Sequence, residues 1–148
     1  MMEIVLDETR SYRLTHLYED VWFYNKRTGQ KQFAGEHYGD PEFGLICEAD
    51  GWCISGGEGV VLCDKDGDLW SAFRFQGRDE YSKPMTFENE AEALWIKNTI
   101  KKTNLPGYIA DLEISEYGEI EIQVNPLNKL ASRWRLDVSK MSLRKISG

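Results

Sequence analysis

The sequence predicts an α+β domain built mainly of antiparallel β hairpins and meanders, with one main helix at about 88–102 packed on the sheet. Three observations lead there. Apolar residues alternate with polar ones through several segments, the period of half-buried strands. Asp-Gly and Gly-rich dipeptides punctuate those segments at short intervals. One segment alone combines helix-end signals with an apolar stripe at helical spacing. With 148 residues and no internal repeat or linker-like stretch, the chain reads as a single domain, 1–148.

Taken in order, residues 4–6 form a first short strand, and 13–18 and 21–25 are apolar-rich and β-prone. Lys26-Arg27-Thr28-Gly29 is a turn, from which 30–34 returns as a short strand. Residues 35–42 read as a loop, punctuated by Gly35, Gly39 and Pro41. A four-stranded meander then spans 43–75: strand 43–48, the Asp50-Gly51 turn, strand 52–55, the turn Gly56-Gly57-Glu58-Gly59, strand 60–63, the turn Asp64-Lys65-Asp66-Gly67, and strand 68–75. Asp-Gly favours such turns because glycine accepts a positive φ and aspartate tolerates one.

The helix is expected from Thr86 as its cap, with Glu88, Glu90 and Glu92 near its start and Lys97, Lys101 and Lys102 near its end, an order that suits the helix dipole. Ala91, Leu94, Trp95 and Ile100 supply its buried stripe, and Asn104 to Gly107 stops it. Strands return at 108–115, 119–124 and 134–138. Their alternation puts Ile120, Ile122, Trp134 and Leu136 inward and Arg133 and Arg135 outward, near the glutamates of a neighbouring strand.

Composition narrows the chemistry. No apolar run approaches the ~18 residues of a membrane span, and the N-terminal segment lacks the basic flank of a signal peptide. A net charge of −7 argues against nucleic acid or an anionic membrane as partner. Three cysteines, Cys47, Cys53 and Cys63, have apolar neighbours and no C-x-x-C spacing, which fits buried thiols in a reducing, cytoplasmic setting.

No residue set specifies a reaction, and no catalytic residue, metal ligand or cofactor is assigned. The Asp64–Asp68 segment has an acidic spacing like that of a calcium loop, yet Leu69 and Phe75 stand where an EF-hand loop needs Gly and Glu. Gly56 to Gly59 carries a carboxylate where a phosphate cradle needs positive groups. His16 alternates within a strand. His37 reads as a solvated loop residue beside Glu36 and Asp40 rather than a catalytic base.

The strongest functional feature is charge. Residues 36–68 hold nine carboxylates (Glu36, Asp40, Glu42, Glu48, Asp50, Glu58, Asp64, Asp66 and Asp68) against one lysine, Lys65, a formal −8 in a chain of −7. So localised a charge bears on partners and association rate more than on fold. The aromatics Tyr38, Phe43, Trp52 and Trp70 are interleaved with these acids, and charge with aromatic anchors suits a basic protein partner. Antiparallel geometry puts the Asp50-Gly51 and 64–68 turns at one end of the sheet and Glu58 at the other.

A small, acidic, strand-rich chain without a catalytic constellation resembles the immunity proteins of bacterial polymorphic-toxin and contact-dependent growth inhibition systems. The segment Asp50-Gly51-Trp52-Cys53-Ile54-Ser55-Gly56-Gly57-Glu58-Gly59 is the part similar in style. The resemblance implies a cytoplasmic inhibitor of a basic, nuclease-type toxin domain. The same surface also suits a regulatory module for another basic protein, and a small-ligand or enzymatic domain is a further alternative.

Overall fold

Strands β6 (Trp52–Gly57) and β7 (Gly59–Cys63) are buried along their whole length. A strand covered on both faces needs a packed layer on each side. In a computed structural model, which describes residues 2–37, 39–57, 59–72, 82–88, 109–114, 119–124 and 133–147, these two strands lie in the middle sheet of three stacked layers.

The middle sheet is the antiparallel meander β5 (Phe43–Cys47), β6, β7 and β8 (Leu69–Ala72), to which β9 (Lys83–Pro84) adds in parallel beside β8. One outer layer is a second meander, β1 (Ile4–Glu8), β2 (Tyr12–Leu17), β3 (Asp20–Asn25) and β4 (Lys31–Glu36). The other contains β10 (Thr86–Phe87), β11 (Ile109–Ile114), β12 (Glu119–Val124), β13 (Arg133–Asp137) and β14 (Ser142–Ser147), in the order β10-β14-β13-β12-β11. Its ladders are antiparallel except that between β10 and β14.

Strand alternation divides the middle sheet between two cores. Trp52, Ile54, Val60 and Leu62 face the third layer and pack with Ile120, Ile122, Trp134, Leu136 and Leu143. Ile46, Cys53 and Cys63 face the first layer and pack with Leu14, Val21, Phe23 and Ala34. Burying each large apolar side chain stabilises the fold by roughly 1.5–3 kcal/mol before ordering costs. The two interlayer seams are therefore the main source of stability. At one point they close to backbone distance: a Cβ on Gly35 (φ +141°) would stand 2.7 Å from Val61 Cγ1.

Every regular element among the described residues is a strand, so the architecture they form is all-β and the α+β expectation is corrected. Residues 89–102 of the expected helix lie outside the described residues. The residues expected to start it are engaged elsewhere. The Thr86 amide donates to Met141 O and the Glu88 amide to Leu143 O, each at 2.9 Å. Thr86 and Phe87 themselves form β10, paired in parallel with Ser142 and Leu143 of β14, so Thr86 is a strand residue and not a helix cap.

Two local boundaries also move. Gly56 and Gly57, expected in a turn, continue β6, and Gly57 pairs with Gly59 across a tighter reversal. The expected loop 35–42 begins later, because β4 runs to Glu36. The meander from Phe43 to Ala72 has the expected order. In the third layer, Arg133 Nε donates to Glu121 Oε1 at 2.6 Å, and Arg135 Nε lies 3.6 Å from Glu119 Oε2. These are the outward cross-strand pairs that alternation predicts.

Candidate functional site

The reversals 48–51, between β5 and β6, and 64–68, between β7 and β8, fall at one end of the middle sheet. They bring Glu48, Asp50, Asp64, Asp66 and Asp68 to that end. Glu36, Asp40 and Glu42 belong to the opposite end, where the Glu42 amide donates to Gly56 O at 2.9 Å. Glu58 and Tyr38 lie outside the described residues. The acidic run in sequence is thus divided in space.

The five carboxylates at the first end do different work. Asp64 is a scaffold: its Oδ1 accepts the amides of Asp66 and Asp68 at 2.9 Å each, and its Oδ2 accepts Trp70 Nε1 at 3.0 Å. This is the side-chain-to-backbone pattern that shapes Asp-led turns. Glu48 ties two layers, its Oε1 accepting the Ser11 amide at 2.9 Å. The Thr9 hydroxyl, then the Ser11 hydroxyl and amide, pull its carboxyl down to about 2. Asp50, Asp66 and Asp68 are exposed, with Lys83 Nζ 3.4 Å from Asp68 Oδ2.

The expected aromatic anchors separate in the same way. Trp52 is 6% exposed and belongs to the core, because its position on β6 turns it toward the third layer. Trp70 is half-buried; it packs on that core, donates to Asp64 and carries Lys83 Nζ 5.2 Å from its ring centre. Trp52 therefore offers no surface for a partner, while Trp70 offers an edge.

A cleft of about 120 Å³ opens between the first and middle layers at this end. Tyr12 and Phe23 form its aromatic wall, stacked with ring centres 5.0 Å apart. Asn25, Gln30 and Gln32 add carboxamides, and Gly51, Asp64 and Lys65 complete it from the two reversals. Gly51 is required by the positive φ of its turn (+75°), and a Cβ there would also stand 2.7 Å from the Tyr12 hydroxyl. At roughly 30 Å³ per water, the cleft holds a few waters or the end of one long side chain. It is smaller than the roughly 300–1,000 Å³ typical of sites for drug-sized ligands.

Both histidines are buried. The expectation of a solvated His37 is corrected: it is 2% exposed, and its Nε2 lies 2.8 Å from Ser55 Oγ. Ser55 is equally enclosed and its hydroxyl also reaches Val61 O at 3.5 Å. A serine–histidine hydrogen bond this enclosed joins the segment after β4 to β6 rather than exposing a nucleophile. His16 Nδ1 lies 3.0 Å from Tyr18 O. Among the described residues no three His, Cys, Asp or Glu side chains are grouped to hold a metal.

Sequence reasoning missed Tyr12, Phe23 and Gln32. The alternation of Tyr12 with Leu14, and of Val21 with Phe23, marks one inward face, but no local signal says which reversal meets it. Comparison with known proteins gives no match to a family model, a curated protein or a solved structure.

Proposed function

We propose that the chain is a protein-binding domain that receives a basic partner at the end of the middle sheet bearing Asp50, Asp66 and Asp68. The observation that carries this reading is the convergence of two acidic reversals beside a cleft of about 120 Å³ with a stacked aromatic wall. The end of an arginine or lysine side chain fits that volume, with its last methylenes against Tyr12 and Phe23 and its charge toward Asp64. Asp50, Asp66 and Asp68 would supply the long-range attraction that speeds encounter. Asp40 and Glu42 at the far end are outside this contact, and Glu36, Glu48 and Trp52 serve the fold or lie away from it.

Within that reading we favour an immunity protein that neutralises a basic, nuclease-type toxin by occluding its active site. Size, acidity and a strand-rich chain support it, since carboxylates on rigid turns mimic the phosphates such a toxin binds. A regulatory module for another basic protein would use the same surface. The test is capture of partners from native lysate on the immobilised chain, followed by association kinetics across a salt series. The triple variant Asp50→Asn, Asp66→Asn, Asp68→Asn is expected to associate at least about tenfold more slowly at low salt, with a flatter salt dependence. Unchanged kinetics in the folded variant would overturn the surface assignment. A captured partner without toxic activity would favour the regulatory module.

A further inference from the structure

Cys53 on β6 and Cys63 on β7 are direct partners in the antiparallel ladder, and both side chains belong to the core facing the first layer. Directly opposed residues in such a ladder have Cα atoms about 4.5 or 5.5 Å apart. Both spacings lie inside the roughly 4.4–6.8 Å span of disulfides. Both thiols are free, Cys53 1% and Cys63 0% exposed. Buried cysteines are common as small hydrophobes, but the surroundings of this pair are not uniformly apolar. Gln32 Nε2 donates to Cys63 Sγ at 3.0 Å, and the same Gln32 lines the cleft. One carboxamide therefore stands between the cleft and the Cys63 sulfur.

We propose that Cys63 and Cys53 are a nucleophilic and resolving thiol pair that hydrogen peroxide entering the cleft converts to a cross-strand disulfide. The roles follow from position, since Gln32 of the cleft contacts Cys63 and not Cys53, and the two sulfurs differ in the same sense. The Cys53 S–H hydrogen bond and then Gln32 hold the Cys63 thiol below the ordinary cysteine range, against burial and the nearby Asp64 and Asp68 carboxylates. Burial, and then Cys63 beside it, push Cys53 well up. Cys63 is also the sulfur that Gln32 contacts beside the cleft, so it is the one a peroxide reaches first, as the nucleophilic thiolate.

The Cys63 thiolate attacks one peroxide oxygen. An S–O bond forms, the O–O bond breaks, and the departing hydroxide takes a proton to leave as water. The resulting sulfenic acid is the intermediate that condenses with a neighbouring thiol. Cys53 attacks its sulfur, the S–S bond forms, the S–O bond breaks, and the sulfenic oxygen leaves as a second water with the Cys53 proton. Two thiols are oxidised by two electrons and one peroxide is reduced to two waters. The half-buried Cys47 lies on β5, where its ladder partner is Trp52, and takes no part.

The test uses the full chain, treated with hydrogen peroxide at neutral pH, quenched, unfolded in guanidinium chloride, alkylated with iodoacetamide, and read by intact mass and peptide mapping. The expected product has lost two hydrogens, carries a Cys53–Cys63 cross-link reversible by dithiothreitol, and keeps one alkylatable thiol at Cys47. Cys47→Ser is expected to react like the natural chain. Cys53→Ser is expected to stop at a Cys63 sulfenic acid trapped by dimedone, and Cys63→Ser to give neither product. If a single-cysteine variant fails to fold, the cross-link map of the natural chain decides. Three alkylatable thiols after excess peroxide in a chain still folded by near-ultraviolet circular dichroism would overturn the proposal. Oxidation confined to Cys47 would do the same.

Discussion

The Asp7 carboxylate accepts the Ile46 backbone amide at 2.8 Å through Oδ2. Ile46 lies on β5, the edge strand of the middle sheet, and Asp7 follows the register shift between Val5 and Asp7 in β1. The irregularity re-aims a carboxylate from one layer onto the edge strand of the next, a device that blocks edge-to-edge pairing.

Replacing Asp7 by Ala is therefore expected to lower stability by about 1.5–3 kcal/mol, the range for hydrogen bonds to a charged group. It should also raise self-association, because the Ile46 amide is freed on an edge. Asp7→Asn keeps an acceptor and should recover part of both. Urea denaturation and light scattering would check this; an Asp7→Ala chain as stable and as monodisperse as the natural one removes the edge-capping role.

Glu48 gives the fold a defined acid sensitivity. Its carboxyl is lowered from 4.5 to about 2 by the Thr9 hydroxyl and then by the Ser11 hydroxyl and amide. A carboxyl with a lower pKa folded than unfolded stabilises the fold above the unfolded value, and that contribution is lost as pH falls through the folded one. The Glu48 contribution should be complete above about 4.5 and disappear toward about 2. Glu3, Glu8 and Asp137 are lowered as well, so the difference between chains is the informative quantity. Glu48→Gln should narrow its stability gap to the natural chain as the pH of thermal melts falls from 6 to 2. A gap independent of pH would show that Glu48 acts by shape alone.

The 64–68 reversal separates scaffold from display. Asp64 accepts two backbone amides and the Trp70 indole, whereas the Asp66 side chain is exposed. Asp64→Ala is expected to cost about 1–3 kcal/mol and to alter Trp70 fluorescence. Asp66→Ala should stay within about 0.5 kcal/mol, as for an isolated surface change. Equal losses in the two variants would contradict the division.

The meander of the middle sheet was legible because glycine-rich turns interrupt apolar segments at strand length, and each reversal needs only local chemistry. Its central strand was harder. Trp52, Cys53, Ile54 and Ser55 are all buried, so alternation does not distinguish core from surface, and Trp52 was read as an anchor. Layer stacking removes the signal that a two-layer protein displays. At the expected helix start, Thr86 suits a cap in isolation, while Thr86 and Phe87 instead pair as a strand with β14, more than fifty residues later, which no local signal announces. Tyr12 meeting Gly51, and Gln32 meeting Cys63, likewise depend on layers whose pairing has no local code. The opposition of Cys53 and Cys63 was within reach, since both stand five residues from Glu58 and a reversal centred there pairs them.

The closest approach between the first two layers supplies a test of that stacking. Gly35 has φ +141°, which L residues rarely adopt, and an added Cβ would meet Val61 Cγ1 at 2.7 Å and Val61 Cβ at 3.1 Å. Gly35→Ala is expected to destabilise by about 2–5 kcal/mol, combining overpacking with backbone strain. Val61→Ala removes the methyl in the way but leaves a cavity, which costs on its own. If β4 rests on β7 at this point, the double variant should be less destabilised than the two single losses added, by about 1–3 kcal/mol. The remaining loss reports the backbone strain, which no change at Val61 relieves. Strict additivity in urea titrations of the four chains would mean that Gly35 and Val61 do not meet, and the three-layer stacking would have to be redrawn at that seam.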